Sequence, residues 1–128
     1  MTKSVFMEKY PLNSLEIQKN ETDLKSIDAI LAFYKEKIDN HKIATYIATF
    51  DHYTHTKSID GDINPDIKDA KNIIFCFGSL LPNSAILAVR PRTIGIAEME
   101  NSFKIEFIDA PNEKPQGIME EWTQEIKK

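Results

Sequence analysis

Cysteine and long apolar runs are the two features that this 128-residue chain most clearly lacks. The single cysteine, Cys76, excludes an internal disulfide, and its place inside an apolar run predicts a small buried side chain rather than a nucleophile. No stretch approaches the roughly 20 apolar residues that span a bilayer. The first residues also lack the apolar region of a signal peptide. We therefore expect a cytoplasmic protein that has no membrane partner.

An excess of positive charge is also missing. The chain has a formal net charge of -4, and its sequence pI is about 5.4. Nucleic-acid-binding domains usually carry a basic stripe and a pI above about 9, so we expect no nucleic-acid partner. The length and the 41% hydrophobic content predict a single domain over residues 1–128 with one core.

Arginine is the scarce basic residue, and both arginines, Arg90 and Arg92, flank Pro91. In a chain that otherwise uses lysine, they are the best candidates for a planar contact with a carboxylate or phosphate. The alternative is exposed ion pairs with Glu98 or Glu100. Because proline fixes φ and favours an extended residue before it, the two side chains should point in different directions, with the inward one holding a carboxylate.

The spacing of apolar residues predicts an α/β (α+β) two-layer sandwich with a mixed sheet of about five strands. Helices are predicted over residues 22–39 and 115–127, with a short helix over 84–89 and strands over 14–18, 42–50, 72–77, 93–97 and 103–108. The helix over 22–39 is expected to be capped within residues 20–23. The run 42–50 is interpreted as a central strand, and 72–77 as a strand buried on both faces with Cys76 in the core.

Three polar segments follow or precede strands: residues 51–55, 78–83 and 90–92. Ligands of open α/β sheets collect beyond strand ends, so we expect the three segments to share one edge, with His52 against Gly78 or Ser79. The Gly78-Ser79 turn before a short helix predicts an anion-cradling turn with free N–H groups. A tight strand-to-helix turn is the alternative.

The histidines allow two further chemistries. His52 and His55 are three residues apart, so a helical turn would place both on one face, as a metal pair needs. The further ligands would come from Asp51, Asp60 or Asp62. In the second chemistry, Asp51 orients His52 as a general base for Ser79. Local hydrogen bonding of the histidines is the commoner alternative, and our leading interpretation includes no metal.

The order of Phe50-Asp51-His52, Phe75-Cys76-Phe77-Gly78-Ser79 and the Ile94-Gly95-Ile96 hairpin resembles a widespread bacterial domain of unknown function. Its members carry I-D-H at a strand end, F-G-N-P after a buried strand and D-L-P before a final hairpin. The resemblance covers about residues 14–112, with Phe50, Ser79 and Leu80 in place of the isoleucine, asparagine and proline, and with no D-L-P. It implies an α/β fold and a homodimer, and it supplies no activity or cofactor.

We expect a domain that binds a small anionic ligand or a protein partner and forms a homodimer. The candidate ligand-binding residues are Asp51, His52, His55, Gly78, Ser79, Arg90 and Arg92. The alternative is a small hydrolase or metal-assisted enzyme that uses His52, His55 and Ser79. A third interpretation, a structural or regulatory subunit, predicts no polar pocket. Trp122, on one face of the last predicted helix, is assigned either to the core or to a dimer face.

Overall fold

A computed structural model describes residues 1–128. The strands are β1 Thr2–Phe6, β2 Tyr10–Gln18, β3 Thr45–Asp51, β4 Asp69–Cys76, β5 Arg92–Glu98 and β6 Ser102–Ile108. They form one sheet in the order β1-β2-β6-β5-β4-β3, in which every neighbouring pair is antiparallel. Successive strand side chains point to opposite faces, and the buried residues of β2, β4, β5 and β6, apart from Ser102, lie on the same face.

Helices α1 Ile27–Asp39 and α3 Glu113–Gln124 cover that buried face. The chain also forms α2 His52–Ser58, which has no buried residue, and short 3-10 helices at Lys19–Glu21 and Ser84–Val89. The apolar sides of α1 and α3 join the strands in one core of sixteen buried residues. On the other face of the sheet, side chains such as Ile74 stay half-buried. The predicted two-layer α/β class is therefore confirmed. No helix combines the length and apolar character needed to cross a bilayer.

The sheet differs from the predicted one in strand number and direction: it has six strands instead of about five, and it is antiparallel throughout instead of mixed. The additional strand is β1, which turns into β2 through Met7 and Glu8. Both turn residues have positive φ, 54° and 61°, as in the tight hairpin turns that usually use glycine or asparagine. The sequence did not predict this strand, because neither methionine nor glutamate is typical of such a turn.

Two strand assignments need correction. The run that was predicted as a central strand becomes β3, at the edge of the sheet, where only one neighbour supplies hydrogen bonds. In β4, Ile73 and Phe75 are fully buried, while Cys76 points to the uncovered face and is half-buried. The prediction that Cys76 lies in the core is wrong, because helices cover only one side of this apolar strand.

The start of α1 lies later than predicted. Ser26 is the N-cap, and its hydroxyl accepts a hydrogen bond from the Ala29 amide at 3.0 Å. Thr22, which was assigned to the helix, is instead fully buried and donates to the Ile126 carbonyl at 2.6 Å. The chain before Ser26 therefore joins the end of α3 rather than extending α1.

The cap can be tested against the sequence-based assignment. We expect Ser26→Ala to lower the free energy of unfolding by about 1 kcal/mol, because the Ala29 amide loses its partner. Asn20→Ala, at the position where the sequence placed the cap, should change it by less than about 0.5 kcal/mol. Urea denaturation of both variants measures the difference, and the reverse ranking would contradict this helix boundary.

Candidate anion-binding site

A cleft of about 490 Å³ opens at one end of the sheet, on the side that the helices cover. Its walls come from the link after α1, from the connection between β4 and β5, and from the start of α3. The lining residues are His41, Ile43, Phe77, Ser79, Leu80, Pro82, Ile86, Val89, Arg90, Arg92, Pro111, Asn112, Lys114, Pro115 and Ile118. The cleft therefore unites two of the three predicted segments, those around Ser79 and Arg90.

Arg92 is the most unusual of these residues, because it is a charged side chain that is only 7% exposed. One terminal nitrogen, Nη2, donates to the carbonyl of Ile108, while the buried Nε has no hydrogen-bond partner. Burial lowers the pKa of the Arg92 guanidinium, and the charge of Asp109 acts in the opposite direction. Arg92 forms no ion pair with any carboxylate.

Arg90 is half-buried and lies against Gly78. A Cβ atom on Gly78 would lie 3.2 Å from Nη1 of Arg90 and 3.0 Å from Sγ of Cys76. The φ angle of Gly78 is not positive, so a side chain here would be opposed only by this close approach, to which Arg90 or Cys76 would have to adjust. Like Arg92, Arg90 forms no ion pair.

The alternative in which the arginines pair with surface glutamates is wrong, since Glu98 pairs with Lys19 at 2.7 Å and neither arginine has an acidic partner. Arg90 and Arg92 differ in burial, since Arg92 is buried and Arg90 is half-buried. Both line the same cleft, and the predicted difference in their directions stays a prediction. No carboxylate forms an ion pair with Arg92, the buried one, although the charge of Asp109 acts on its pKa.

The charge of the cleft is positive, in contrast to the net charge of the chain. Lys114 joins the two arginines, and no aspartate or glutamate lines the walls. The N-terminus of α3 adds to this field: Asn112 is its N-cap residue, and the Asn112 side chain makes no capping hydrogen bond. Unpaired N–H groups at a helix start and nearby cations both favour a bound anion.

His41 belongs to the site although it was not among the predicted residues. Its Nδ1 accepts hydrogen bonds from the amides of Ile43 at 3.2 Å and Ala44 at 3.3 Å. In the neutral ring the proton must therefore sit on Nε2, which is a donor. The ring packs edge-on against Phe77 and Trp122, which support this wall of the cleft. Only the folded chain brings His41 to the arginines, so no local motif could have revealed it.

The Gly78-Ser79 turn does not provide the predicted anion cradle. The Gly78 amide donates to Sγ of Cys76 at 3.2 Å, and the Ser79 amide donates to the Phe77 carbonyl at 2.6 Å. Both N–H groups are thus engaged within the chain. What the turn contributes to the cleft is the Ser79 side chain and the space above Gly78 that Arg90 occupies.

The third predicted segment, which holds Asp51, His52 and His55, lies at the opposite end of the sheet. In the antiparallel β3–β4 pair, Asp51 faces Lys71, whereas Thr45 faces Cys76. The five intervening steps of strand span about 17 Å, and Ser79 lies further on. The prediction that His52 contacts Gly78 or Ser79 is wrong, because the antiparallel pairing separates the end of β3 from the end of β4.

At that far end, Asp51 has a local role. Its carboxylate accepts hydrogen bonds from the amide and the hydroxyl of Thr54, both at 2.9 Å, and so caps α2. His52 and His55 lie on α2, with ring centroids 4.6 and 5.6 Å from that of Phe50. No group of three or more His, Cys, Asp or Glu side chains is arranged to hold a metal ion.

The cap predicts a small pH effect. The hydrogen bond from the Thr54 amide lowers the pKa of Asp51 in the folded protein. The ionised carboxylate therefore stabilises the fold fully above its unfolded-state pKa, and this stabilisation is lost as the pH falls through the lower folded-state pKa. Asp51→Asn keeps a capping side chain but cannot titrate. Between about pH 5 and pH 2, wild type should lose about 0.5 kcal/mol more stability than Asp51→Asn loses, a small difference because the Asp51 carboxylate is largely solvated. Urea denaturation across this range measures it, with Asp62→Asn as control; equal acid sensitivity of wild type and Asp51→Asn would contradict the effect.

Comparison with known proteins gives a family but no activity. No curated protein matches the chain. A model described as "Family of unknown function (DUF6858)" matches residues 1–128. The expectation of a domain of unknown function is therefore confirmed, while the motif pattern and the bacterial spread of the resemblance stay predictions. With its whole length matched, this chain belongs to the DUF6858 family of unknown function.

Proposed function

We propose that this protein binds a small organic anion, a carboxylate or a phosphate, in the cleft between Arg90 and Arg92. The observation that carries the proposal is the buried Arg92 guanidinium, which has no acidic partner and whose Nε has no hydrogen-bond acceptor. Buried charges in proteins are normally paired, because desolvation of an unpaired charge is costly. An anion bound against the part of Arg92 that lines the cleft would supply the missing charge.

The surroundings support an anion over other ligands. Arg90, Lys114 and the start of α3 face the same space, and an arginine can hold a carboxylate or phosphate through two parallel hydrogen bonds. The rest of the wall is largely apolar, as in most small-molecule sites, and its volume lies within their usual range. Among the predicted ligands, a small anion fits this concave site better than a protein surface does. The hydrolase alternative has no such support, since His52 and His55 lie far from Ser79.

The proposal is tested by calorimetric titration with benzoate and phenyl phosphate. We expect wild type to bind at least one of them, and Arg90→Lys and Arg92→Lys each to weaken binding about tenfold or more, because lysine lacks the planar fork of donors. Lys104→Gln removes an exposed cation that does not line the cleft and should bind like wild type. If neither anion binds, or if the lysine variants bind like wild type, the proposed function is wrong.

We also keep the homodimer and the cytoplasmic location as proposals. The uncovered face of the sheet supports the dimer, because Ala70, Ile74 and Ala97 are half-buried there without a covering layer. Light scattering should then give twice the chain mass of 14.7 kDa. Ala97→Glu, in the middle of this face, should give the single chain mass, and a monomeric wild-type protein would contradict the dimer.

A further inference from the structure

We propose that the ligand of the cleft is a single-chain amphiphile: an anionic head held by Arg90 and Arg92, and an unbranched alkyl tail that packs on the apolar side chains around the cleft. The inference rests on the proposed function and narrows it from small organic anions to alkyl carboxylates of fatty-acid type. Three observations support it, namely the composition of the β4–β5 connection, the distribution of exposed apolar residues, and the charge of this end of the sheet.

The connection between β4 and β5 is long and apolar. It runs over residues 77–91, whereas strands in a hairpin are usually joined by two to five residues. Leu80 and Leu81 are 73% and 75% exposed, and Leu87 is 60% exposed. Ile86 and Val89 of the same connection line the cleft. The apolar side chains of this connection that line the cleft, Leu80, Ile86 and Val89, offer an alkyl tail contacts that water does not.

Exposed apolar side chains concentrate at the same end of the sheet. Of the thirteen large apolar residues that are exposed, all except Ile47, Phe50 and Ile59 lie here, on the β1–β2 hairpin, on the link after α1, in the β4–β5 connection or at the end of β6. Three of these exposed residues, Ile43, Leu80 and Val89, line the cleft and form its apolar rim. Clusters of exposed apolar residues mark interaction sites.

The positive charge at this end of the sheet favours an anionic ligand over a second copy of the chain. Residues 6–10, 41–44, 77–92 and 108–115 carry five lysines and arginines against three acidic residues, although the chain as a whole has a net charge of -4. A second copy of the chain would bring the same positive end against this one. An anionic head with an apolar tail complements both the charge and the rim, so it is the occupant that the observations favour.

The test is a chain-length series of butanoate, hexanoate, octanoate and decanoate, titrated below their micelle concentrations, with octanol as the uncharged match. We expect the association constant to rise about three- to fourfold per added methylene, as apolar burial predicts. Arg92→Lys should lower it by a similar factor at every length. Leu80→Asp and Leu81→Asp should flatten the rise, whereas Ile59→Asp, an exposed apolar residue elsewhere, should not. Octanol should bind more weakly than octanoate.

The outcomes separate the two proposals. If octanoate binds no better than butanoate while Arg92→Lys still weakens the binding of both, the cleft is an anion site but the amphiphile proposal is wrong. If no carboxylate binds, the amphiphile proposal is wrong, and if phenyl phosphate also fails to bind, the anion-binding proposal is wrong as well. Two further measurements test the other occupants. If light scattering shows a wild-type dimer that Leu80→Asp dissociates, the apolar surface binds a second copy of the chain and the inference is wrong. If the protein sediments with phosphatidylglycerol vesicles but does not bind monomeric decanoate, the surface binds a membrane and the inference is again wrong.

Discussion

Trp122→Ala is expected to lower the free energy of unfolding by about 3–5 kcal/mol, the range found when large aromatic side chains are removed from a core. Trp122 is 7% exposed, and its ring centroid lies within 6.0 Å of those of Phe75, Phe77 and His41. The substitution therefore leaves a cavity under the wall of the cleft. Urea denaturation followed by circular dichroism measures the loss, since Trp122 is the only tryptophan.

Trp122→Ala also tests whether the core supports the wall of the cleft. Without the indole, Phe77 and His41 lose their support, so we expect anion binding to weaken together with stability. Trp122→Phe keeps an aromatic ring and should cost less than Trp122→Ala, about 1–2 kcal/mol. A loss below about 1 kcal/mol for Trp122→Ala would mean that the ring is not part of the core and would favour its assignment to a dimer face.

Arg92→Met is expected to weaken anion binding without lowering the free energy of unfolding. Methionine fills similar space without a charge, and no carboxylate forms an ion pair with Arg92, so removal of the charge should leave stability unchanged or raise it by about 1 kcal/mol. The carbonyl of Ile108 loses a donor, but this residue is exposed and water can replace it. Anion binding should weaken about 100-fold or more, because the buried guanidinium is the centre of the site.

Arg90→Met provides the matched control for that experiment. Arg90 is half-buried, so its replacement should change the free energy of unfolding by less than about 0.5 kcal/mol while still weakening anion binding. Thermal denaturation and calorimetry on the three proteins give both quantities. A loss of about 3 kcal/mol or more in Arg92→Met, with anion binding retained, would show that Arg92 is a structural residue and would contradict its role in the site.

Local signals explain how much of the fold the sequence could predict. The apolar spacing of α1 and the β5–β6 hairpin depends on residues close in sequence, and both elements were predicted within a few positions. The turn at Met7 and Glu8 carries no glycine or asparagine, so the β1 strand left no signal. The edge position of β3 also escaped prediction, because its β-branched and aromatic residues suit a central strand as well.

The candidate site was predictable only where composition singles out a residue. Arg90 and Arg92 could be found because they are the only arginines. The grouping with His52 failed, since the direction in which two strands pair depends on contacts that a single sequence does not display. His41 and Lys114 reach the cleft through the packing of α1 and α3 on the sheet, and no local pattern marks them.

Because the chain contains only two arginines, an ¹H–¹⁵N spectrum of the arginine Nε–H region should hold two signals that can be assigned with Arg90→Lys and Arg92→Lys. The central claim, that these guanidinium groups hold an anion, predicts that the Arg92 signal exchanges slowly with water and that both signals shift and saturate as octanoate is added. Shifts in neither signal, or equal shifts with octanol, would contradict it.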